Sequence, residues 1–279
     1  MAALFLNRCS ALLLVLLLTG CEALLFYPQR QLLRDPAAVG LAYREVSIPV
    51  ADSALHGWWL PAQEPRATLL FAHGNAENIS THLASVYWLP SEGINVLLVD
   101  YRGYGRSPGR PSLDNAVADL QASWHWLLAQ GDAAPLPLLG FGQSLGASLM
   151  GVAVAREREA LAGRLKGLVL DAGFADYASI AREQAAKAPL TWLLQLPVAW
   201  AMPKGYDLID ALPQLPRAPL LIVHGRQDTV VGVQHAQRLF ERAAQPKQLY
   251  LYDGGHIGSF HDRLSRQRLL DFIADSLAD

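Results

Sequence analysis

From Tyr43 onward, short β-rich runs alternate with longer stretches whose apolar residues recur at helical spacing. Residues 46–48 and 55–60 read as two strands joined by a turn at Asp52-Ser53. Residues 67–72 and 94–99 are unbroken apolar runs, the pattern of a strand covered on both faces. Further strands are expected at 136–141, 167–170, 219–223 and 248–252. Between them, Ser112 is placed to cap a helix in which Val117, Leu120, Trp124, Leu127 and Leu128 share one face. Residues 147–155, 233–243 and 263–277 also read as helices. Strands alternating with helices of this length predict an α/β domain: a mostly parallel central sheet, helices on both faces, and an antiparallel edge from the first two strands.

One region breaks the alternation. Residues 174–215 contain no clear buried strand. They hold a helical stretch at 178–188 and an aromatic-apolar stretch at 190–200 with Trp192 and Trp200. An insertion between two late strands of such a sheet stands above the strand C-terminal ends, where ligands bind. The segment is therefore expected to be a helical lid, and its two tryptophans suggest a hydrophobic group, such as an acyl chain, in the substrate.

The N-terminus has a different grammar. Arg8 precedes the apolar run 11–18, which is short for a bilayer span, and Leu18-Thr19-Gly20-Cys21 follows. Charge, apolar core, small residue and cysteine in this order resemble a bacterial lipoprotein signal. The resemblance implies removal of residues 1–20, lipidation of Cys21, a tether over 21–42 and a domain over 43–279. It places the protein in the cell envelope, membrane-anchored and facing the periplasm. Glu22 stands where such lipoproteins carry aspartate for inner-membrane retention, which points to the outer membrane. In the tether, Leu24, Leu25, Phe26 and Tyr27 lie either on lipid or on the domain surface.

Composition agrees with this division. Of 279 residues, 52% are hydrophobic and 17% charged, and part of the apolar excess sits at the N-terminus. The net charge of −2 and the lack of a basic block speak against nucleic acid as a partner. There are two cysteines. With Cys9 in the signal and Cys21 lipidated, the domain keeps no thiol for a disulfide, so its stability must come from the core.

The chemistry centres on Gly142-Gln143-Ser144-Leu145-Gly146, between an apolar run and a helix-forming one. A strand–turn–helix Gly-x-Ser-x-Gly resembles the turn on which an α/β-hydrolase exposes its nucleophilic serine. A serine hydroxyl needs a base, and the base an orienting carboxylate. Both follow in that fold's chain order, Ser144, then Asp228, then His256, each acid or base just past an expected strand. Asp171 and Asp176 are the alternative acids. His224 and His261 are weaker candidates for the base, and Asp253 reads as a turn residue. Two backbone N–H groups are expected to bind an oxyanion: that of Leu145, and that of Asn75 in the His73-Gly74-Asn75 loop. His73 itself reads as a structural turn residue.

Four segments together carry the wider likeness: 72–76 (Ala-His-Gly-Asn-Ala), 100–107 (Asp-Tyr-Arg-Gly-Tyr-Gly-Arg-Ser), the serine pentapeptide, and Gly254-Gly255-His256. From Tyr43 to the C-terminus the chain resembles the α/β-hydrolase superfamily, most closely its membrane-associated branch related to protein depalmitoylases and serine aminopeptidase-like hydrolases. Ala147 stands where many relatives carry glycine. The resemblance implies a serine hydrolase acting on a small-molecule or lipid acyl substrate without metal or organic cofactor. The expected reaction is cleavage of an ester or thioester. A peptidase, and a non-catalytic envelope scaffold, are the alternatives.

Overall fold

The computed structural model describes residues 25–278, apart from 52, 131–134 and 188. Cys21 and the expected signal segment lie outside the described residues.

Eight strands form the central sheet. They are β2 (Arg44–Val50), β3 (Ser53–Leu60), β4 (Ala67–Ala72), β6 (Ile94–Val99), β7 (Leu138–Gln143), β8 (Leu165–Asp171), β9 (Leu220–Gly225) and β10 (Lys247–Tyr252), in the order β10-β9-β8-β7-β4-β6-β3-β2. From β6 to β10 all neighbours run parallel, while β3 is antiparallel to both β2 and β6. The mostly parallel sheet with an antiparallel edge is thus as expected. Each observed strand except β4 and β6 differs by a residue or more from its expected bounds; β7, β8 and β9 run on past their last apolar side chain to Gln143, Asp171 and Gly225, and β2, β3 and β10 begin earlier than expected. A separate pair of two-residue strands, β1 (Tyr27–Pro28) and β5 (Ala76–Glu77), runs parallel beside the sheet.

The unbroken apolar runs follow from coverage on both faces. Alternate residues of one strand enter different cores: Leu70 and Ala72 join one cluster, Leu69 and Phe71 the other. The first core receives α1 (Leu113–Ala129) and α2 (Leu145–Arg156), with Trp124 and Met150 fully buried. Ser112 caps α1, its side chain accepting from the Asn115 N–H at 3.1 Å. The second core is closed by α6 (Arg263–Ala278) through Leu269, Phe272 and Ile273.

The crossover from β8 to β9 carries α3 (Tyr177–Ala186) and the short helix α4 (Gln195–Trp200). Its base is anchored: Phe174, Tyr177, Ile180 and Met202 belong to the first core. α5 (Gln234–Arg242) follows β9. The N-terminal residues also join the domain, for Phe26 is buried against Tyr104 while Tyr27 is exposed. Among the described residues, no helix is long and apolar enough to cross a membrane.

Candidate active site

All the predicted site residues within the described part collect at the C-terminal ends of β4, β7, β9 and β10. Ser144 sits between β7 and α2 with φ 55° and ψ −120°. A positive φ is costly for a residue with a Cβ and persists only where the surroundings impose it. Here they do. A Cβ on Gly142 would stand 2.4 Å from the Gly146 carbonyl, and one on Gly146 would stand 2.2 Å from the Ala72 carbonyl. The two glycines let helix and strand close on the serine from both sides. The Ser144 N–H is fixed to the Asp171 carbonyl at 2.8 Å.

The turn delivers the hydroxyl to a histidine. His256 Nε2 lies 2.9 Å from Ser144 Oγ, and His256 Nδ1 lies 2.7 Å from Asp228 Oδ2. A carboxylate can only accept, so Nδ1 carries the proton and Nε2 faces the hydroxyl as an acceptor. The Asp228 side chain is fully buried. Burial by itself raises a carboxyl pKa, but hydrogen bonds from His224 and His256 and from the Val231 N–H outweigh it. They hold Asp228 well below the usual carboxylate range, so it is ionised at any working pH.

Asp228 has a second imidazole partner that sequence reasoning set aside. His224, on β9, is buried with Nε2 2.8 Å from the Val231 carbonyl and 3.3 Å from Asp228 Oδ2. Burial disfavours its charge, yet the Asp228 carboxylate and the Val231 carbonyl raise its pKa above the ordinary value. The signal for it was present in the sequence, four residues ahead of Asp228. That spacing places both on one side of the loop only once β9 ends at Gly225.

The alternative acids have other tasks. Asp171 is buried and accepts from Gln143 Nε2 at 2.9 Å and from Ser259 Oγ at 2.8 Å; burial raises its pKa. Gln143 in turn accepts from Ser85 Oγ at 2.8 Å. This chain of buried polar groups ties the residue before the serine to the loop after His256, and no sequence spacing announces it. Asp176 caps α3 through the Ser179 N–H and pairs with Arg238 at 2.7 Å. His261 lies in the turn before α6, and Asp253 is an exposed partner of Arg226.

The loop after β4 runs beside the serine, since a Cβ on Gly74 would stand 3.6 Å from Ser144 Cβ. It is braced from behind. Tyr104 donates to the Asn75 carbonyl at 2.6 Å, the Tyr27 N–H to Asn75 Oδ1 at 3.1 Å, and Tyr101 to the His73 carbonyl at 2.9 Å. These bonds hold the Asn75 carbonyl and Oδ1, and so fix the peptide whose N–H is the expected second oxyanion donor. The Leu145 N–H opens α2, where the first N–H groups of a helix have no internal partner. His73 is wholly buried. Burial, and then the neighbouring His82, lower its pKa to about 3, so it is a neutral packing residue.

This constellation has relatives. Residues 63–212 match the family model described as serine aminopeptidase, S33. The uncharacterized protein YfhR of Escherichia coli (strain K12) is 34% identical over 80% of this chain and 77% of its own. Alpha/beta hydrolase domain-containing protein 17B of Homo sapiens is 30% identical over 76% of this chain and 68% of its own. In three dimensions the chain is similar to the Pyrococcus furiosus esterase Pf2001, with a TM-score of 0.73 and 22% identity over 91% of this chain and 97% of that one. The fold, the serine turn and these matches together place the chain in the α/β-hydrolase superfamily, as a serine hydrolase of the serine aminopeptidase S33 family.

Proposed function

We propose that this protein is a lipid-anchored serine hydrolase that cleaves carboxylic esters or thioesters of hydrophobic acyl groups. The observation that carries the reading is the 2.9 Å contact of Ser144 Oγ with His256 Nε2, on a serine held at positive φ. In the proposed reaction Ser144 Oγ attacks the acyl carbonyl while His256 Nε2 takes its proton. Asp228 holds the imidazole and stabilises its cation. The N–H groups of Leu145 and Asn75 receive the oxyanion. His256 then protonates the leaving group, and water attacks the acyl-enzyme with the same base.

The acyl preference rests on the crossover segment 174–215, read as a lid, whose stretch from Leu190 to Trp200 is apolar and largely exposed. The similarity to an esterase supports ester chemistry, while the matched family model describes aminopeptidases, so amide cleavage is the second reading. Turnover of p-nitrophenyl esters of rising chain length, set against aminoacyl-nitroanilides, separates the two. Labelling by a fluorophosphonate probe tests the nucleophile. Wild type that resists the probe, or Ser144→Ala that still takes it, overturns the hydrolase reading.

The anchor is proposed from the sequence pattern ending at Cys21, with residence in the bacterial envelope. Radiolabelled palmitate incorporated by the wild type and not by Cys21→Ser is the expected result.

A further inference from the structure

Between Lys187 and Lys204 the chain carries no charged residue, and its only polar side chains there are Thr191 and Gln195. Both are spent on local backbone: Thr191 Oγ1 donates to the Ala185 carbonyl and Gln195 Nε2 to the Trp192 carbonyl, each at 2.8 Å. The rest of the outer surface is apolar. Leu190 is 91% exposed, Trp200 81% and Leu193 80%, with Trp192, Leu194 and Leu196 about half exposed. A surface helix ordinarily turns its apolar stripe inward. Here Val198 and Met202 pack inward and a second apolar face points outward. Contiguous apolar patches beyond a few hundred Å² are rare on soluble monomers and mark interaction sites.

The helix that leads into the ridge stands beside the active site. From α3, Gln184 Nε2 and Lys187 Nζ donate to the Val230 carbonyl at 2.7 and 3.1 Å, and Lys187 Nζ to that of Thr229 at 2.6 Å. These carbonyls belong to the loop that leaves Asp228. The N-terminal chain reaches the same end of the sheet, where Tyr27 is tied to Asn75 and β1 pairs with β5. Only Glu22, Ala23 and Leu24 separate Leu25 from Cys21. At no more than about 3.6 Å per residue, that stretch spans about 14 Å at full extension. An acyl anchor on Cys21 therefore holds the Asn75 end of the domain close to the bilayer surface, and this is the end of the sheet at which the helix leading into the ridge meets the Asp228 loop.

We propose that the ridge from Leu190 to Trp200 is a membrane-docking surface whose occupant is the phospholipid bilayer carrying the anchor. Trp192 and Trp200 sit at headgroup level, where amphipathic rings are favoured, and Leu190 and Leu193 enter the acyl boundary. The ridge supplies the second membrane contact that a lipid chain needs for a fixed orientation, and it turns the mouth of the site toward the membrane. The inference rests on the anchored-hydrolase reading and names its substrate class, acyl groups held in a membrane.

The test uses the processed full chain on vesicles of phosphatidylethanolamine and phosphatidylglycerol, with and without bromine on the lipid chains. Trp58, Trp59, Trp88 and Trp124 are buried and Trp126 is packed against the core, so contact quenching reports Trp192 and Trp200. The expected result is partial loss of tryptophan emission on brominated vesicles, abolished in the Trp192→Phe/Trp200→Phe variant. Vesicle-bound protein with unquenched emission overturns the proposal, as does equal quenching in the double variant. A dimer that Leu193→Glu dissociates, in protein that brominated lipid leaves unquenched, assigns the ridge to a second copy and overturns it too. Fluorophosphonate labelling of the same samples keeps the two readings apart. Quenching without labelling supports the docking surface and removes the hydrolase; labelling without quenching removes the docking surface alone.

Discussion

His224 Nε2 lies 3.3 Å from Oδ2 of Asp228, the same oxygen that His256 engages at 2.7 Å. Two imidazoles, His224 wholly buried and His256 partly exposed, thus share one carboxylate, and only His256 faces the serine. In His224→Gln the Asp228 carboxylate loses one imidazole donor and keeps His256 and the Val230 and Val231 N–H groups. Loss of one charge-assisted hydrogen bond is expected to lower kcat about ten-fold. An unchanged kcat would reduce His224 to a packing residue.

The two candidate acids separate in a paired experiment. Asp228→Asn is expected to lower kcat by about 10⁴, since the amide leaves His256 in the wrong tautomer. Asp171→Asn, whose carboxylate is held by Gln143 and Ser259, is expected to keep kcat within about ten-fold of wild type, the scale of one lost buried hydrogen bond. Steady-state ester hydrolysis reads both, and the reverse ranking would move the acid to β8.

Strain at the serine predicts a stability difference between two inactive variants. Ser144→Ala and Ser144→Gly both lose the hydroxyl, but only glycine accepts φ 55° without steric cost. Net of the entropy of an unfolded glycine, Ser144→Gly should exceed Ser144→Ala in stability by about 1 kcal/mol. Equal urea midpoints would show that the backbone relaxes in the alanine variant.

The loop after β4 can be probed without touching a side chain that reacts. A Cβ at Gly74 would stand 3.1 Å from His82 Cε1, close enough to displace the loop bearing Asn75. Gly74→Ala is expected to lower kcat toward the 10²- to 10³-fold loss, roughly, of a missing oxyanion donor, with KM little changed. Asn75→Ala, which keeps its N–H, should lose far less. If the two behave alike, the donor lies elsewhere.

Two buried histidines, His73 and His82, weaken the fold at acid pH. His73 titrates near 6.5 when unfolded and near 3 when folded, owing first to burial and then to His82. The unfolded chain therefore binds a proton that the folded one refuses. This stability is fully present above pH 6.5 and declines, by about 1.4 kcal/mol per pH unit, as pH falls toward 3. His82, shifted down mainly by burial, acts in the same direction. Urea midpoints measured between pH 7 and 5 should fall more steeply for wild type than for His73→Gln; parallel slopes would place the titration on other groups.

Much of the fold was legible because strands covered on both faces write themselves as unbroken apolar runs. Residues 67–72 and 94–99 needed nothing more. The expected catalytic set was legible because a tight serine turn requires glycines at fixed offsets, and because function at strand ends puts Asp228 and His256 just past apolar runs. What escaped were groups whose partners lie far along the chain. His224 looked like a strand residue, and Gln143, Ser85, Asp171 and Ser259 looked like unrelated polar positions. Their hydrogen bonds join elements 58 and 88 residues apart.

The alternation of elements, the serine turn and the order of serine, acid and base are written in the chain, since each depends on local spacing and residue chemistry. That Asp228 rather than Asp171 or Asp176 meets His256 follows from packing alone, because it depends on which strand end lies beside β10. Packing likewise turned the aromatic stretch after Lys187 outward. Apolar composition can serve a core or an exposed surface equally well, and only packing distinguishes them.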